Sequence, residues 1–339
     1  MRAVVYTRTG DESVLEVVDR PIPEPGQGEV LVRMAVSGVN PTDWKSRQGD
    51  GSAPAGGWQI PNQDGAGVIE AVGRGVDSGL IGERVWIWEA ARKRQWGTAA
   101  EYTLVPSRQV VPLGGASFDV GASLGIPFLT AHRCLTVGET MPDRLDEGAL
   151  ADHVVLVQGG AGAVGNAAIQ LAKWADATVI ATVSNPEKAQ LAAAAGADHV
   201  VNYRQQDVVA EVRKIAPDGV HTIVEVSAAR NAEIDVRVVA DAGAVAVYAD
   251  DGAPVQLPVR PLMMRNARWQ FVLVYDMPQA AKAQAVFDVA ALAGEGGIRV
   301  GADAGLPLHY YPLADAADAH RAVREGAVGK VLILTSEPQ

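Results

Sequence analysis

The chain has 339 residues, 48% of them hydrophobic and 20% charged, enough for about two domains with buried cores. A net charge of −11, from 29 basic and 40 acidic residues, argues against a nucleic-acid partner, which selects a basic surface. The densest basic run, Arg92-Lys93-Arg94, is too short for one. No apolar run reaches the ~18 residues of a membrane span. Met1 to Tyr6 reads as a strand rather than a signal peptide, so a cytoplasmic protein is expected. Cys134 is the single cysteine, which excludes an intrachain disulfide and a Cys₄ or Cys₂His₂ zinc site. With the histidines scattered, no metal is expected.

In chain order, the first part reads as all β. Leu31–Val36, Gly67–Val72 and Glu83–Trp88 are short apolar or alternating runs bounded by turn-forming Gly, Pro or Asp. The character changes near Gly125-Ile126-Pro127, after which Phe128 to Val137 predicts a helix and a Gly- and Asp-containing connector runs to Asp152. Strand and helix signals then alternate: strand Val154–Val157, helix Ala167–Trp174, strand Thr178–Val183, helix Pro186–Ala195, strand His199–Val201. The alternation continues through Val208–Ile215, Thr222–Val226, Ile234–Ala240 and Ala244–Val247. Such repetition implies an α/β fold with a doubly wound parallel sheet. A helix near Pro278–Ala293 follows, then Ala314–Val323 and a last strand, Lys330–Leu334, expected to return to the N-terminal part. The expected division is 1–127 with 295–339, mainly β and partly barrel-like, and 128–294, a Rossmann cofactor domain.

The chemistry concentrates at Gly160-Ala161-Gly162-Ala163-Val164-Gly165, a G-x-G-x-x-G directly after a predicted strand and before a helix. There the first two glycines allow a tight turn and close approach of a pyrophosphate, and Gly165 allows the helix to pack on the strand. About 20 residues further on, a site for an unphosphorylated ribose places Asp or Glu; here Ser184 stands instead. Lys188, one helical turn later, and Tyr203 with Arg204 after the third strand are positioned to receive a 2′-phosphate. The alternatives at these positions are an N-cap at Ser184, a solvated face at Lys188 and packing at Tyr203; Glu187 weighs against a phosphate. The combination favours NADPH.

At these residues the chain resembles the zinc-free medium-chain dehydrogenase/reductases, specifically the zeta-crystallin-like NADPH:quinone oxidoreductases. The resemblance runs through Gly38–Asp43, Asp64–Gly73, Gly97–Tyr102, Gly125–Ala131 and Gly329-Lys330-Val331. It implies a GroES-like catalytic domain beside the Rossmann domain. Where zinc-dependent relatives carry a ligand cysteine this chain has Asn40, and where they carry a ligand histidine it has Gln63; amides do not hold catalytic zinc. The resemblance further implies that Asn40, with Asp43 and Lys45 beyond it, lies near the nicotinamide. Thr130 is expected at the same end of the cofactor, Ser184, Lys188 and Tyr203 at its 2′-phosphate, Asn231 and Tyr248 along the sheet edge, and Leu273 in the nicotinamide pocket. Lys330 is grouped with these cofactor residues. The family often has tyrosine where Lys45 stands.

The expected activity is zinc-independent hydride transfer from NADPH to a quinone or similar conjugated carbonyl. Lys45 or the amides of Asn40 and Gln63 would meet the developing oxyanion, with Asp43 beside Lys45 as the acid–base pair to test. The alternatives are an NADPH-dependent enoyl or alkenal (enone) reductase and a non-catalytic NADPH-binding or RNA-binding protein. The apolar run Phe271–Val274 is a candidate edge strand for a homodimer.

Overall fold

A computed structural model describes residues 1–335 of the chain. They form two compact units, Met1–Ile126 with Leu292–Val300 and the segment from Leu308 onward, and Pro127–Ala291 with Gly301–Pro307. The segment 301–307, expected with the N-terminal part, joins the second unit. Asn166 Nδ2 donates to Ala304 O at 2.8 Å, and Gly305, in a left-handed conformation, packs against the backbone of Leu191.

The first unit carries β1 (Arg2–Val5), β2 (Glu16–Asp19), β3 (Glu29–Val39), α1 (Pro41–Arg47), β4 (Asp64–Val72), β5 (Arg84–Ile87), β6 (Tyr102–Pro106) and β7 (Val110–Pro112). α2 (Phe118–Leu135) begins in it and continues into the second unit. The two share the remaining elements: β8 (Val154–Val157), α3 (Ala163–Trp174), β9 (Thr178–Val183), α4 (Pro186–Ala194), β10 (His199–Asn202), α5 (Val208–Ile215), β11 (Val220–Glu225), α6 (Ala228–Val238), β12 (Val239–Val247), α7 (Val259–Met264), β13 (Arg268–Phe271), α8 (Gln279–Gly294), β14 (Leu308–Pro312), α9 (Ala316–Arg324) and β15 (Lys330–Leu334).

β3 organises the first unit. Along one side it pairs with β4; along the other its N-terminal half pairs with β6 and its C-terminal half, Val36–Val39, with β15. Register shifts at Leu31/Val32 and Met34/Val36 let one strand serve both partners, since an extra residue bends the strand and increases its twist. The last strand thus returns to the first unit. α9 packs Ala316 and Ala319 with Leu313 on Val4, Val331 and Ile333, which brings the C-terminal segment against β1.

The second unit is a six-stranded sheet in the order β10-β9-β8-β11-β12-β13, every pair parallel. This is the doubly wound arrangement, with its reversal of strand order between β8 and β11. One core packs Leu156, Ile180, Ile223 and Val245 on Val208 and Val212 of α5 and Val238 of α6. Near-continuous Val, Ile and Ala in these strands is what burial on both faces requires.

Two elements differ from the sequence reading. α2 starts at Phe118, ten residues before the expected Phe128, and runs through Pro127. Ser117 Oγ caps it through Val120 N. Pro127 has no N–H, and the amide of Ile126 is diverted to both oxygens of Asp64 at 2.9 Å, so the break in the helical ladder leaves no orphan donor. The apolar run Phe271–Val274 is a strand only to Phe271: β12, its partner, ends at Val247, and Val274–Asp276 curls into a 3₁₀ turn.

Candidate functional site

Six parallel strands bring six C-terminal ends to one edge of the second unit, and most of the predicted cofactor residues lie in the segments that follow these ends. The turn after β8 begins one residue earlier than the motif, at Gly159, whose φ of 74° is left-handed and favours glycine. A Cβ on Gly160 would stand 2.8 Å from the Ala181 Cβ, and one on Gly165 only 2.4 Å from Gly159 O. Both glycines are therefore demanded by the protein's own packing. Gly162 is not: its Cβ would meet nothing nearer than Gly159 O at 3.5 Å. As N-cap of α3, followed by Ala163 and Val164, it leaves open backbone at a helix N-terminus, the arrangement that admits a pyrophosphate. Ala161 beside it is buried.

After β9 the N-cap is Asn185, whose Oδ1 accepts from Lys188 N at 2.8 Å. Ser184, read as a possible cap, is left with its hydroxyl uncommitted to that task. Tyr203 N donates to Val183 O at 3.0 Å, which places Tyr203, half exposed, at the strand end that Ser184 follows. Ser184, Lys188 and Tyr203 thus share one corner with no carboxylate at the end of β9; Glu187 is exposed in the first turn of α4. After β11, Asn231 donates to Glu225 at 3.1 and 3.2 Å. After β12, Tyr248 N donates to Glu225 O at 3.0 Å. Leu273, after β13, is exposed. Thr130 belongs to the same unit, on α2, with its side chain nearly buried.

The first unit holds a second polar concentration, and here the sequence reading needs correction. Asn40 caps α1, and Asp43 Oδ2 accepts from its backbone N at 2.7 Å. The Asn40 side chain is engaged at both ends: Nδ2 donates to Asp64 Oδ2 at 2.7 Å, and Oδ1 accepts from Lys330 Nζ at 2.7 Å. Lys330 Nζ lies 3.7 Å from Asp64 Oδ2, both side chains fully buried. Burial, with the Asp64 charge beside it, pushes Asp43 up to about 8. Burial likewise raises Asp64 and lowers Lys330. The cluster is close to neutral when Asp64 and Lys330 are charged and Asp43 carries a proton.

Lys330, expected among the cofactor residues, is instead a buried partner of Asn40 and Asp64. Lys45 is exposed, its ammonium 5.8 Å from the Trp44 ring. Residues two apart on a helix point to different sides, so Lys45 and the buried Asp43 do not form the expected pair. Asn40, with both ends of its amide taken, offers nothing to a substrate. Gln63 differs: Oε1 accepts from Ala91 N at 3.1 Å, and among the described residues no acceptor meets Nε2.

Three participants escaped the sequence reading. Asp64 anchors the cluster, and His320 ends a chain of buried bonds leading to it. His320 Nε2 meets Asn62 Oδ1 at 2.9 Å, Asn62 Nδ2 donates to Ser37 Oγ at 3.0 Å, and Ser37 and Thr98 hydroxyls lie 2.7 Å apart. Thr98 then donates to Asp64 O at 2.6 Å. Burial holds His320 down to about 3, so it is neutral with Nε2 protonated. The third is Asp235 on α6, whose Oδ1 accepts from Gln158 Nε2 at 3.1 Å.

The donor set does not fit zinc. Asn40 and Gln63 present amides, a lysine ammonium already neutralises Asp64, and no group of three His, Cys, Asp or Glu able to hold a metal ion occurs among the described residues. A parallel sheet with an open glycine turn, joined in one chain to a GroES-like β unit, defines a nucleotide-dependent oxidoreductase. Residues 26–115 match the family described as "Alcohol dehydrogenase GroES-like domain" and residues 163–291 the one described as "Zinc-binding dehydrogenase". A quinone oxidoreductase of Lama guanicoe is 30% identical over 98% of this chain and 97% of its own. A mycobacterial structure complexed with NADPH is 28% identical, with a TM-score of 0.80 over 98% of this chain and 99% of its own. A NAD-dependent alcohol dehydrogenase structure is 30% identical, with a TM-score of 0.84 over 99% and 100%. The chain belongs to the medium-chain dehydrogenase/reductase superfamily, in its zeta-crystallin-like quinone oxidoreductase group, and is an enzyme of that oxidoreductase type. No helix among the described residues is long and apolar enough to cross a membrane.

Proposed function

We propose that the protein is a zinc-independent, NADPH-dependent reductase of quinones or similar conjugated carbonyls, working in the cytoplasm. The observation that carries this reading is the corner of Ser184, Lys188 and Tyr203, which offers a cation and hydroxyls, and no carboxylate on the strand end, to a ribose 2′-phosphate. Gly160–Gly165 would hold the pyrophosphate, with Gly162 giving the close approach, and Asn231, Tyr248 and Leu273 would border the rest of the cofactor. When bound, NADPH supplies the hydride. Gln63 Nε2, the free amide donor of the buried cluster, would stabilise the acceptor oxygen as it gains charge; Asn40, Asp43 and Lys330 would hold the loop around it. A conjugated acceptor delocalises that charge itself, which makes a Lewis acid dispensable.

The test replaces Lys188 by Ala and follows cofactor oxidation with a panel of quinones and enones. The KM for NADPH should rise about tenfold, the order of a lost charge-assisted bond, with that for NADH unchanged. Equal changes for the two cofactors would remove the phosphate assignment. We further infer a homodimer formed through β13, an edge strand whose Phe271 is exposed, as are Leu273 after it and Met263 and Met264 of the preceding α7. Sedimentation of Phe271→Lys checks it: a monomer is expected, against a dimer for the parent.

A further inference from the structure

Beneath the glycine turn lies a buried acid pair that the proposed hydride transfer does not use. Glu225 ends β11 and Asp235 faces inward from α6, both without solvent exposure. Among the described residues no Lys, Arg or His pairs with either. Glu225 accepts from the backbone amide of Ser227 and from Asn231 Nδ2. Asp235 Oδ1 accepts from Gln158 Nε2 at 3.1 Å, while no donor reaches Oδ2. Asn231 and Asp235 stand one turn apart on α6, so the helix face that brings Asn231 Nδ2 to Glu225 carries Asp235 toward it as well. Two ionised carboxyls side by side in a dry interior with no cation are far costlier than one, so one of them carries a proton. Glu225 already has donors on its oxygens and Asp235 is short of one, which puts the proton on Asp235.

We propose that Asp235 is a neutral carboxylic acid that acts as a positioning residue for the cofactor edge: it donates to Glu225, which holds Asn231 and Ser227, and it receives Gln158. The Gln158 contact continues to the turn itself. Thr182 Oγ1 donates to Gln158 Oε1 at 2.6 Å and accepts from Gly159 N at 3.2 Å. One proton therefore connects the backbone at the pyrophosphate turn with the amide of Asn231. The inference rests on this edge being the NADPH site. Burial, reinforced by the Glu225 charge, holds the Asp235 carboxyl well above the ordinary range, and burial also raises Glu225. The other titratable groups facing the pair are Tyr248, beyond it Cys134, and Asp251, which accepts from Ser227 Oγ at 2.7 Å. Burial pushes the Tyr248 phenol and the Cys134 thiol upward, so neither supplies charge at neutral pH, and Asp251 can only oppose a second carboxylate. Loss of the proton places two like charges in contact and frees Gln158 and Asn231 from their fixed orientations.

The experiment measures NADPH affinity by cofactor fluorescence from about pH 6 to about pH 9.5 for the parent, Asp235→Asn and Asp235→Leu. Asparagine offers Gln158 a carbonyl and Glu225 an N–H, as the neutral acid does. It should keep the parent affinity at neutral pH within about twofold and lose the alkaline decline, while leucine weakens binding about tenfold throughout. Infrared difference spectra of parent minus Asp235→Asn, recorded without cofactor, should show one protonated-carboxyl C=O band lost. The proposal is overturned if asparagine is as damaging as leucine, if it retains the parent's alkaline decline, or if no such band disappears. Should the parent bind no NADPH at any pH, the infrared band still decides where the proton is, and only the cofactor reading fails.

Discussion

Each unit sets a pair of buried carboxyl groups at its polar cluster, Asp43 with Asp64 in the first and Glu225 with Asp235 in the second, and the two solve the same electrostatic problem by different means. In the first, Asp64 faces the ammonium of Lys330 at 3.7 Å, and Asp43 is neutral beside them. In the second, Glu225 and Asp235 have amides and a shared proton, with no cation. A buried charge left uncompensated costs far more than a compensated pair, so removing the cation and removing the proton should have unequal consequences. Compensation by lysine uses a group whose charged form is its ordinary state, though burial works against it; compensation by a shared proton is conditional on pH.

The largest break in this comparison is Lys330→Met. It strands Asp64 in a dry interior, and unfolding by urea should show a loss of about 3–5 kcal/mol; Asp64→Asn in the same chain should restore part of it. A smaller effect separates the glycines. Gly165→Ala drives a Cβ to 2.4 Å from Gly159 O and should cost about 1–3 kcal/mol. Gly162→Ala meets only ordinary contact within the unit and should leave the melting temperature within a degree or two while weakening NADPH binding. Equal melting temperatures for the two variants would show that Gly165 is free to relax. The gentlest probe is pH. Asp43 is raised to about 8, above its unfolded value. The folded state therefore binds the extra proton, and the stability this confers is lost as pH rises through about 8. Thermal melts of Asp43→Asn against the parent should converge on the acid side and diverge, in favour of asparagine, on the alkaline side.

The glycine turn and the alternation around it were legible because local spacing carries them: an apolar run, three glycines and a helical run lie within twenty residues of one another. The absent acid at Ser184 was legible for the same reason. Lys330 was not. Its partner Asn40 is 290 residues away, and a lysine in Gly-Lys-Val reads alone as a surface cation or a phosphate ligand. Asp235 left a trace that could have been followed: it shares the inner side of α6 with buried Ala232 and Val236, where a carboxyl needs a partner. The pairing of Asp43 with Lys45 failed on helix geometry available from the sequence, since the two are one residue short of a shared face. The break of α2 at Ile126 depended on Asp64, which lies on a distant strand and could not be seen from Pro127 alone.

The route of β15 through the first unit constrains how the protein is made. β3 lacks its partner, and Asp64 its counter-ion, until the segment around Lys330 has left the ribosome, by which time all of Pro127–Ala291 is already outside. The second unit is nearly contiguous and can condense during translation; the first must wait with Asp64 in water, and its acid cluster closes only when the last strand arrives.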